Sequence, residues 1–440
     1  MTPEDLKRLD RAHVWHPFTQ AQTAPDPVMI RSAKGAVLVE ESGREVLDMI
    51  SSWWVNLHGH SHPVVAEAIA EQARTLEHVI FAGHTHEPAI RISASLAEIL
   101  PGGLNKVFFS DNGSTAVEVA MKAASQYFLN KGDVDRRRFI AFDGGYHGDT
   151  VGAMSAGVSS NFFDAWREML FPVDILPVPT TWIGDDTIEA KEAEALTALD
   201  AHLEAHGGET VACIIEPLVQ GASGMRMHRP EFLRAMVARM KAAGVLVILD
   251  EVMTGFGRMG SVFSCLEAGV EPDFICLSKG LTAGFLPMSV TVTTDAVHDA
   301  FLDDSIGRAF LHGHSFTANP LGCAAANASL ELLLADECTA ARKRINAFHA
   351  ARLEELGRHP LVERTRLQGT IAAFDVKVLE GQGGYASSVG PKLKESFIRD
   401  GLLIRPLGNV VYLLPPYCVS DDQLTRAYEG INRALDSLSS

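Results

Sequence analysis

The chain has 440 residues, 47% of them hydrophobic and 21% charged, with a formal net charge of −17. This is more material than one small core needs, in the proportions of a globular protein. The acidic balance, with no basic block beyond Arg136-Arg137-Arg138, excludes nucleic acid as an expected partner. No apolar run reaches the ~20 residues that cross a bilayer, so no membrane partner is expected. The polar start, Met1-Thr-Pro-Glu-Asp-Leu-Lys, does not read as a targeting peptide, and a cytoplasmic location is expected. Cysteines 213, 265, 276, 323, 338 and 418 are scattered with no Cys-x-x-Cys pair, which reads as reduced core residues, with no zinc site.

Along the chain, residues 28–50 alternate in two-residue steps around Gly35 and Gly43, the pattern of a small antiparallel meander. The segment His58-Gly-His60-Ser-His62 follows, a possible metal motif. A His-x-His strand end with a later Lys and Asp suits a metal-dependent hydrolase in a barrel. Gly59 and Pro63 instead make the stretch turn-like, and the next histidines, His84 and His86, are too near to be a second barrel cluster. From about His60 to Ala325, β-rich runs alternate with helical stretches. Runs starting at Lys106, Phe139, Val211, Val245, Phe274 and Ser289 are strand candidates, and Ser114–Phe128 and Pro230–Ala243 carry helical spacing. Apolar strands alternating with helices predict an α/β fold with a mostly parallel sheet covered on both sides. The expected organisation is a large domain over 61–325 beside a smaller α+β domain built from 1–60 and 326–440. In the latter, helical patterns precede β-like runs at Ile371–Val376 and Val410–Leu414.

Chemistry concentrates where strand candidates end, the edge at which open α/β sheets bind ligands. Gly244-Val-Leu-Val-Ile-Leu stops at Asp250, and Phe274-Ile-Cys-Leu-Ser stops at Lys279. A lysine able to form a Schiff base, and a carboxylate able to hold a protonated pyridine nitrogen, are the minimum of a pyridoxal-phosphate site. The plainer alternative is a salt bridge. Gly113, Ser114 and Thr115 open a helix whose N–H groups and dipole suit a phosphate, or form an ordinary Ser-capped start. Asp143-Gly-Gly-Tyr-His-Gly-Asp offers Tyr146 as a face for a flat ring, or a glycine turn with a half-buried Tyr. Glu216 ends another strand in Ile-Ile-Glu-Pro-Leu-Val-Gln-Gly. No Gly-x-Gly-x-x-Gly or Walker loop follows a strand, which removes dinucleotide and nucleoside-triphosphate enzymes.

The stretches Leu249-Asp-Glu-Val-Met-Thr-Gly-Phe-Gly-Arg258, Pro272-Asp-Phe-Ile-Cys-Leu-Ser-Lys279-Gly, Gly145-Tyr-His-Gly-Asp149 and Ile215-Glu-Pro-Leu-Val-Gln-Gly221 resemble the class III, fold-type I aminotransferases. The resemblance covers nearly the whole chain. It implies Lys279 as the catalytic lysine that bonds pyridoxal 5'-phosphate and Asp250 as the ring-nitrogen partner. It further implies Gly113 and Ser114 at the phosphate, Tyr146 and Val252 on the two ring faces, and Glu216 close by. The family's site lies between two subunits of a homodimer. His312-Gly313-His314-Ser315 resembles the piece given by the neighbour, with Ser315 at the phosphate. Val14-Trp-His-Pro-Phe18-Thr-Gln20 and Ser51-Ser-Trp53-Trp54 resemble the members of biotin synthesis that aminate 8-amino-7-oxononanoate with adenosylmethionine as donor. That resemblance implies Phe18, Trp53, Trp54, Tyr146, Gly313 and Arg405 as substrate residues, Arg405 as the fork for a carboxylate. One of the two tryptophans also suits core packing. Phe18 stands where the family usually has Tyr, and His314-Ser315 where it often has Pro-Thr. Both changes bear on the donor, so a lysine-donor version and a broader ω-amino-acid:pyruvate aminotransferase remain alternatives.

Overall fold

The computed structural model describes residues 1–157, 161–379, 383 and 387–438. Near the start, β1 (Ile30–Lys34), β2 (Val37–Glu40) and β3 (Glu45–Asp48) form the antiparallel meander read from residues 28–50. The central strands follow as β4 (Leu104–Ser110), β5 (Arg138–Phe142), β6 (Asp174–Leu176) and β7 (Thr210–Ile215). A short hairpin, β8 (Val219–Gln220) with β9 (Arg226–Met227), precedes β10 (Leu246–Asp250), β11 (Phe274–Leu277) and β12 (Ser289–Thr294). The last strands are β13 (Val362–Gln368), β14 (Ile371–Val376), β15 (Leu402–Leu403) and β16 (Val410–Leu413).

Seven strands make one sheet in the order β4-β12-β11-β10-β7-β5-β6. β12 runs antiparallel to both neighbours and the other neighbouring pairs are parallel. β4, β5, β7, β10 and β11 therefore all end at the same edge. The period-two alternation of β10 explains its near-continuous apolar sequence. Val247 and Leu249 pack in the cluster with Ile92, Leu96, Phe232 and Met236 of helices Glu87–Ile99 and Pro230–Ala242. Leu246 and Ile248 pack with Ala116, Val117 and Ala120 of the helix Gly113–Asn130 on the opposite face.

The C-terminal β15 pairs in parallel with β3, Leu402 opposite Leu47 and Leu403 opposite Asp48, so both chain ends share a four-stranded sheet. β13, β14 and β16 form a separate antiparallel sheet. The helix Pro320–Leu334 runs through residues 325 and 326, so the junction expected there falls inside a continuous helix. Among the described residues, no helix is long and apolar enough to cross a membrane.

Candidate active site

The shared strand edge opens on a cavity of about 450 Å³. Its wall includes Gly113, Ser114, Tyr146, Glu216, Asp250, Val252, Lys279 and Trp54, gathering most of the candidates read from the sequence. Asp111, His147 and the loop Gly284–Met288 complete much of the wall, and none had been singled out.

Among the described residues, no ion pair joins Asp250 to Lys279, which corrects the salt-bridge alternative. The Asp250 carboxylate is 3% exposed. Its Oδ2 accepts from Nδ1 of His147 at 2.7 Å, and its Oδ1 accepts the N–H of Val252 at 3.1 Å. Lys279 starts a short turn after β11 at φ +43°, a left-handed conformation that costs a side-chain-bearing residue ~1–3 kcal/mol and tends to persist where function holds it. Burial pushes its amine below the ordinary lysine value, while Asp250 and Glu216 pull the other way. Its Nζ stands 5.2 Å from the ring centroid of Trp54.

Glu216 is 4% exposed and accepts two backbone N–H groups at 3.0 Å, from Tyr146 and Gly221. Burial nonetheless raises its carboxyl to about 7, since two neutral donors only partly offset the lost hydration. Tyr146 stacks at 17° on Phe163 with centroids 6.2 Å apart, and burial lifts its phenol above the ordinary value.

The phosphate cup differs in detail from the sequence expectation. Asn112, not a serine, caps the helix: its Oδ1 accepts the N–H of Thr115 at 3.1 Å, and Thr115 Oγ1 accepts the N–H of Asn112 at 3.0 Å. The cap uses neither the Gly113 nor the Ser114 N–H, and both residues line the cavity. Gly113 is required by a close approach rather than by a tight turn. A Cβ there would lie 2.7 Å from Cγ1 of Val252.

Trp53 and Trp54 point apart because Ser51–Trp54 forms a left-handed turn, with φ of +51°, +43°, +72° and +74°. Four such residues without glycine cost ~1–2 kcal/mol each. The turn is tied down by Ser51 Oγ donating to the Leu414 carbonyl and Ser52 Oγ donating to Asp48 Oδ2, both at 2.7 Å. Trp54 is buried, lines the cavity and donates from Nε1 to Tyr412 Oη at 3.0 Å. Trp53 is 41% exposed, with the Phe18 ring edge-on at 5.6 Å and the Arg405 guanidinium 4.5 Å over its face. Topology brings Trp53 and Arg405 together, because β3 and β15 are parallel neighbours whose carboxyl ends lead to the Trp turn and to Arg405.

Gly313, His314 and Ser315 do not line this chain's cavity. They sit on a loop over the helix Gly113–Asn130, where Lys122 Nζ meets His312 Nδ1 at 2.8 Å and His312 Nε2 meets His314 Nε2 at 3.2 Å. His314 Nδ1 lies 3.6 Å from Asp111. His58 and His60 turn away from the cavity. His58 Nε2 bonds the Ser329 carbonyl at 3.0 Å, and His60 Nε2 bonds Asp48 at 2.8 Å. Burial lowers His58 to about 4. With these nitrogens engaged elsewhere, the metal-hydrolase alternative fails.

The family profile described as aminotransferase class-III matches residues 18–435. The chain belongs to the class-III aminotransferases. An adenosylmethionine-8-amino-7-oxononanoate aminotransferase of Synechococcus elongatus is 56% identical over 97% of this chain and 99% of that protein. One of the same name from Geobacter sulfurreducens is 37% identical over 99% of this chain and 98% of its own length. The crystal structure of the Methanocaldococcus jannaschii protein so named superposes with a TM-score of 0.92 at 32% identity, covering 99% of both chains. An (S)-enantioselective omega-transaminase from Thermomicrobium roseum gives 0.93 at 27% identity, covering 100% of this chain and 99% of its own.

Class-III aminotransferases depend on pyridoxal phosphate, and the cavity fits that group on its own features. A helix N-terminus offers N–H groups at one wall, and Gly113 keeps that wall free of a Cβ. A buried lysine and a buried carboxylate stand at the ends of adjacent parallel strands.

Proposed function

We propose that the protein transfers an amino group from S-adenosylmethionine to the 7-keto group of 8-amino-7-oxononanoate, giving 7,8-diaminononanoate in biotin biosynthesis, with pyridoxal 5'-phosphate as cofactor. The observation that carries the chemistry is the buried Lys279 amine facing the same cavity as the buried Asp250 carboxylate, without an ion pair between them among the described residues. When bound, the cofactor supplies an electron sink for the carbanion formed at the donor's α-carbon. Lys279 would be the group that bonds the cofactor and the base that moves the donor's α-proton. Burial favours its neutral form, which has the lone pair both tasks need. Asp250 would hold the proton on the ring nitrogen. Gly113 and Ser114 would bind the phosphate, Val252 and Tyr146 would pack against the ring, and Glu216 lines the same cavity.

Substrate identity is supported by the cluster of Phe18, Trp53 and Arg405 and by the full-length likeness to the Synechococcus elongatus relative. Arg405 is the fork for a substrate carboxylate, and Phe18, Trp53 and Trp54 give apolar walls to a long aliphatic chain or an adenine. The working unit is a homodimer in the cytoplasm, in which Gly313, His314 and Ser315 of a second copy reach the phosphate. The exposure of Ile306 (75%), Leu311 (72%) and Phe316 (62%) around that loop supports a covering partner.

The test incubates purified protein with the keto acid and, in parallel, adenosylmethionine, lysine or alanine, and measures diaminononanoate by mass. Product with adenosylmethionine is expected. Product only with lysine would replace the donor, and product only with alanine would replace the reading by a broader ω-amino-acid aminotransferase.

A further inference from the structure

The loop Gly145–Asp149 carries Tyr146, His147 and Gly148 of the cavity wall, and of these only Tyr146 has a task in the proposed chemistry. His147 within it is fully buried as a side chain. Its Nδ1 lies 2.7 Å from Asp250 Oδ2; a carboxylate oxygen accepts, so Nδ1 carries the hydrogen. Its Nε2 has no hydrogen-bond partner among the described residues. A Cβ at Gly145 would come within 3.0 Å of that nitrogen, so the imidazole fills its space against a bare backbone. One residue further, Gly148 has φ +121°, and a Cβ there would lie 2.0 Å from Ser114 Oγ. The next N–H, from Asp149, donates to that same Ser114 Oγ at 3.2 Å.

We propose that His147 is a positioning residue that fixes the plane of the Asp250 carboxylate toward the cofactor ring, in register with the phosphate cup at Ser114. The proposal rests on the cavity holding pyridoxal phosphate. Val252 N–H alone would tether one carboxylate oxygen and leave the group free to swing. A second donor on the other oxygen fixes the plane and leaves lone pairs for the ring nitrogen. Because the loop that carries His147 also clasps Ser114, displacement of one end is transmitted to the other.

His147→Leu removes the donor while keeping an apolar body, and His147→Asn places an N–H where Nδ1 stood. We expect His147→Leu to lower kcat and to weaken cofactor binding ~10–100-fold, as loss of an outer orienting partner does. KM for the keto acid should stay within ~3-fold, since uniform binding is untouched. His147→Asn should recover most of both losses at a similar melting temperature, and the pH dependence of the bound cofactor's absorbance should shift in the Leu variant only. In the apoprotein, the NMR signal of the His147 Nδ1–H should be present in wild type and lost in Asp250→Ala. Wild-type kcat and cofactor affinity in His147→Leu would overturn the proposal, as would equal losses in the Leu and Asn variants, which would mean packing alone. Wild-type protein that bound no pyridoxal phosphate would instead sink the proposed function, and this inference with it.

Discussion

Gly113→Ala sets two effects against each other at the helix start proposed to bind the cofactor's phosphate. Gly113 is the first residue of the helix Gly113–Asn130, where alanine favours the fold by up to ~1 kcal/mol through the lost freedom of the unfolded chain. The new Cβ would stand 2.7 Å from Cγ1 and 3.1 Å from Cγ2 of Val252, against a contact optimum of ~3.5–4.0 Å. Val252 yields poorly. Its side chain is β-branched and stiff, and its N–H is held by Asp250 at 3.1 Å. Overpacking of this kind costs ~1–3 kcal/mol, so the clash wins and the apoprotein loses roughly 1–2 kcal/mol. Because the displaced groups are those proposed to bind the phosphate and wall the ring, cofactor affinity should fall ~10–100-fold, equivalent to ~1.4–2.8 kcal/mol. Urea unfolding of the apoprotein and absorbance titration with pyridoxal phosphate measure the two effects. Val252→Ala in the same chain removes both methyls in the way, so the double variant should show a favourable coupling of ~1 kcal/mol. A Gly113→Ala protein as stable as wild type, with unchanged cofactor affinity, would refute this geometry.

Three further outcomes follow from the same site. Lys279→Met should abolish turnover yet stabilise the apoprotein at pH 7. With its folded value lowered, Lys279 binds protons less well in the folded than in the unfolded state, so the variant's advantage should shrink as pH rises toward 10.5. An advantage that grows with pH in denaturation curves would contradict this. Trp54→Phe removes the indole N–H that Tyr412 Oη accepts and should cost ~1 kcal/mol, read by thermal unfolding. If a second copy supplies Ser315, mixing Lys279→Ala and Ser315→Ala subunits should restore up to about one quarter of wild-type activity, from the one intact site in each heterodimer. Absence of complementation on mixing would count against a shared site.

The sheet was readable because its central strands are apolar on both faces, and the longer runs announce themselves, β7 and β10 most clearly. β6 went unread at three residues, too short to carry a period. β13 went unread because Glu363, Arg364 and Arg366 look like a solvated face. Arg366 is in fact buried and paired with Asp375 at 2.7 Å. Lys279, Asp250 and Glu216 were legible as polar groups ending apolar strands. The role of His147 was not, since its partner lies 103 residues away and only the folded sheet edge brings them together. The left-handed turn at Ser51–Trp54 carries no glycine to announce it, so the different directions of the two tryptophans could not be read from the sequence. The partnership of Arg405 with Trp53 likewise depends on β15 joining β3 across the length of the chain.

The central claim is that Lys279 is the residue that bonds the cofactor. Borohydride reduction of the holoprotein, followed by proteolysis and mass mapping of the modified peptide, tests it directly. The account predicts one stoichiometric pyridoxyl adduct on Lys279, lost in Lys279→Ala. An adduct on another lysine, or a holoprotein that borohydride leaves unmodified, would contradict it.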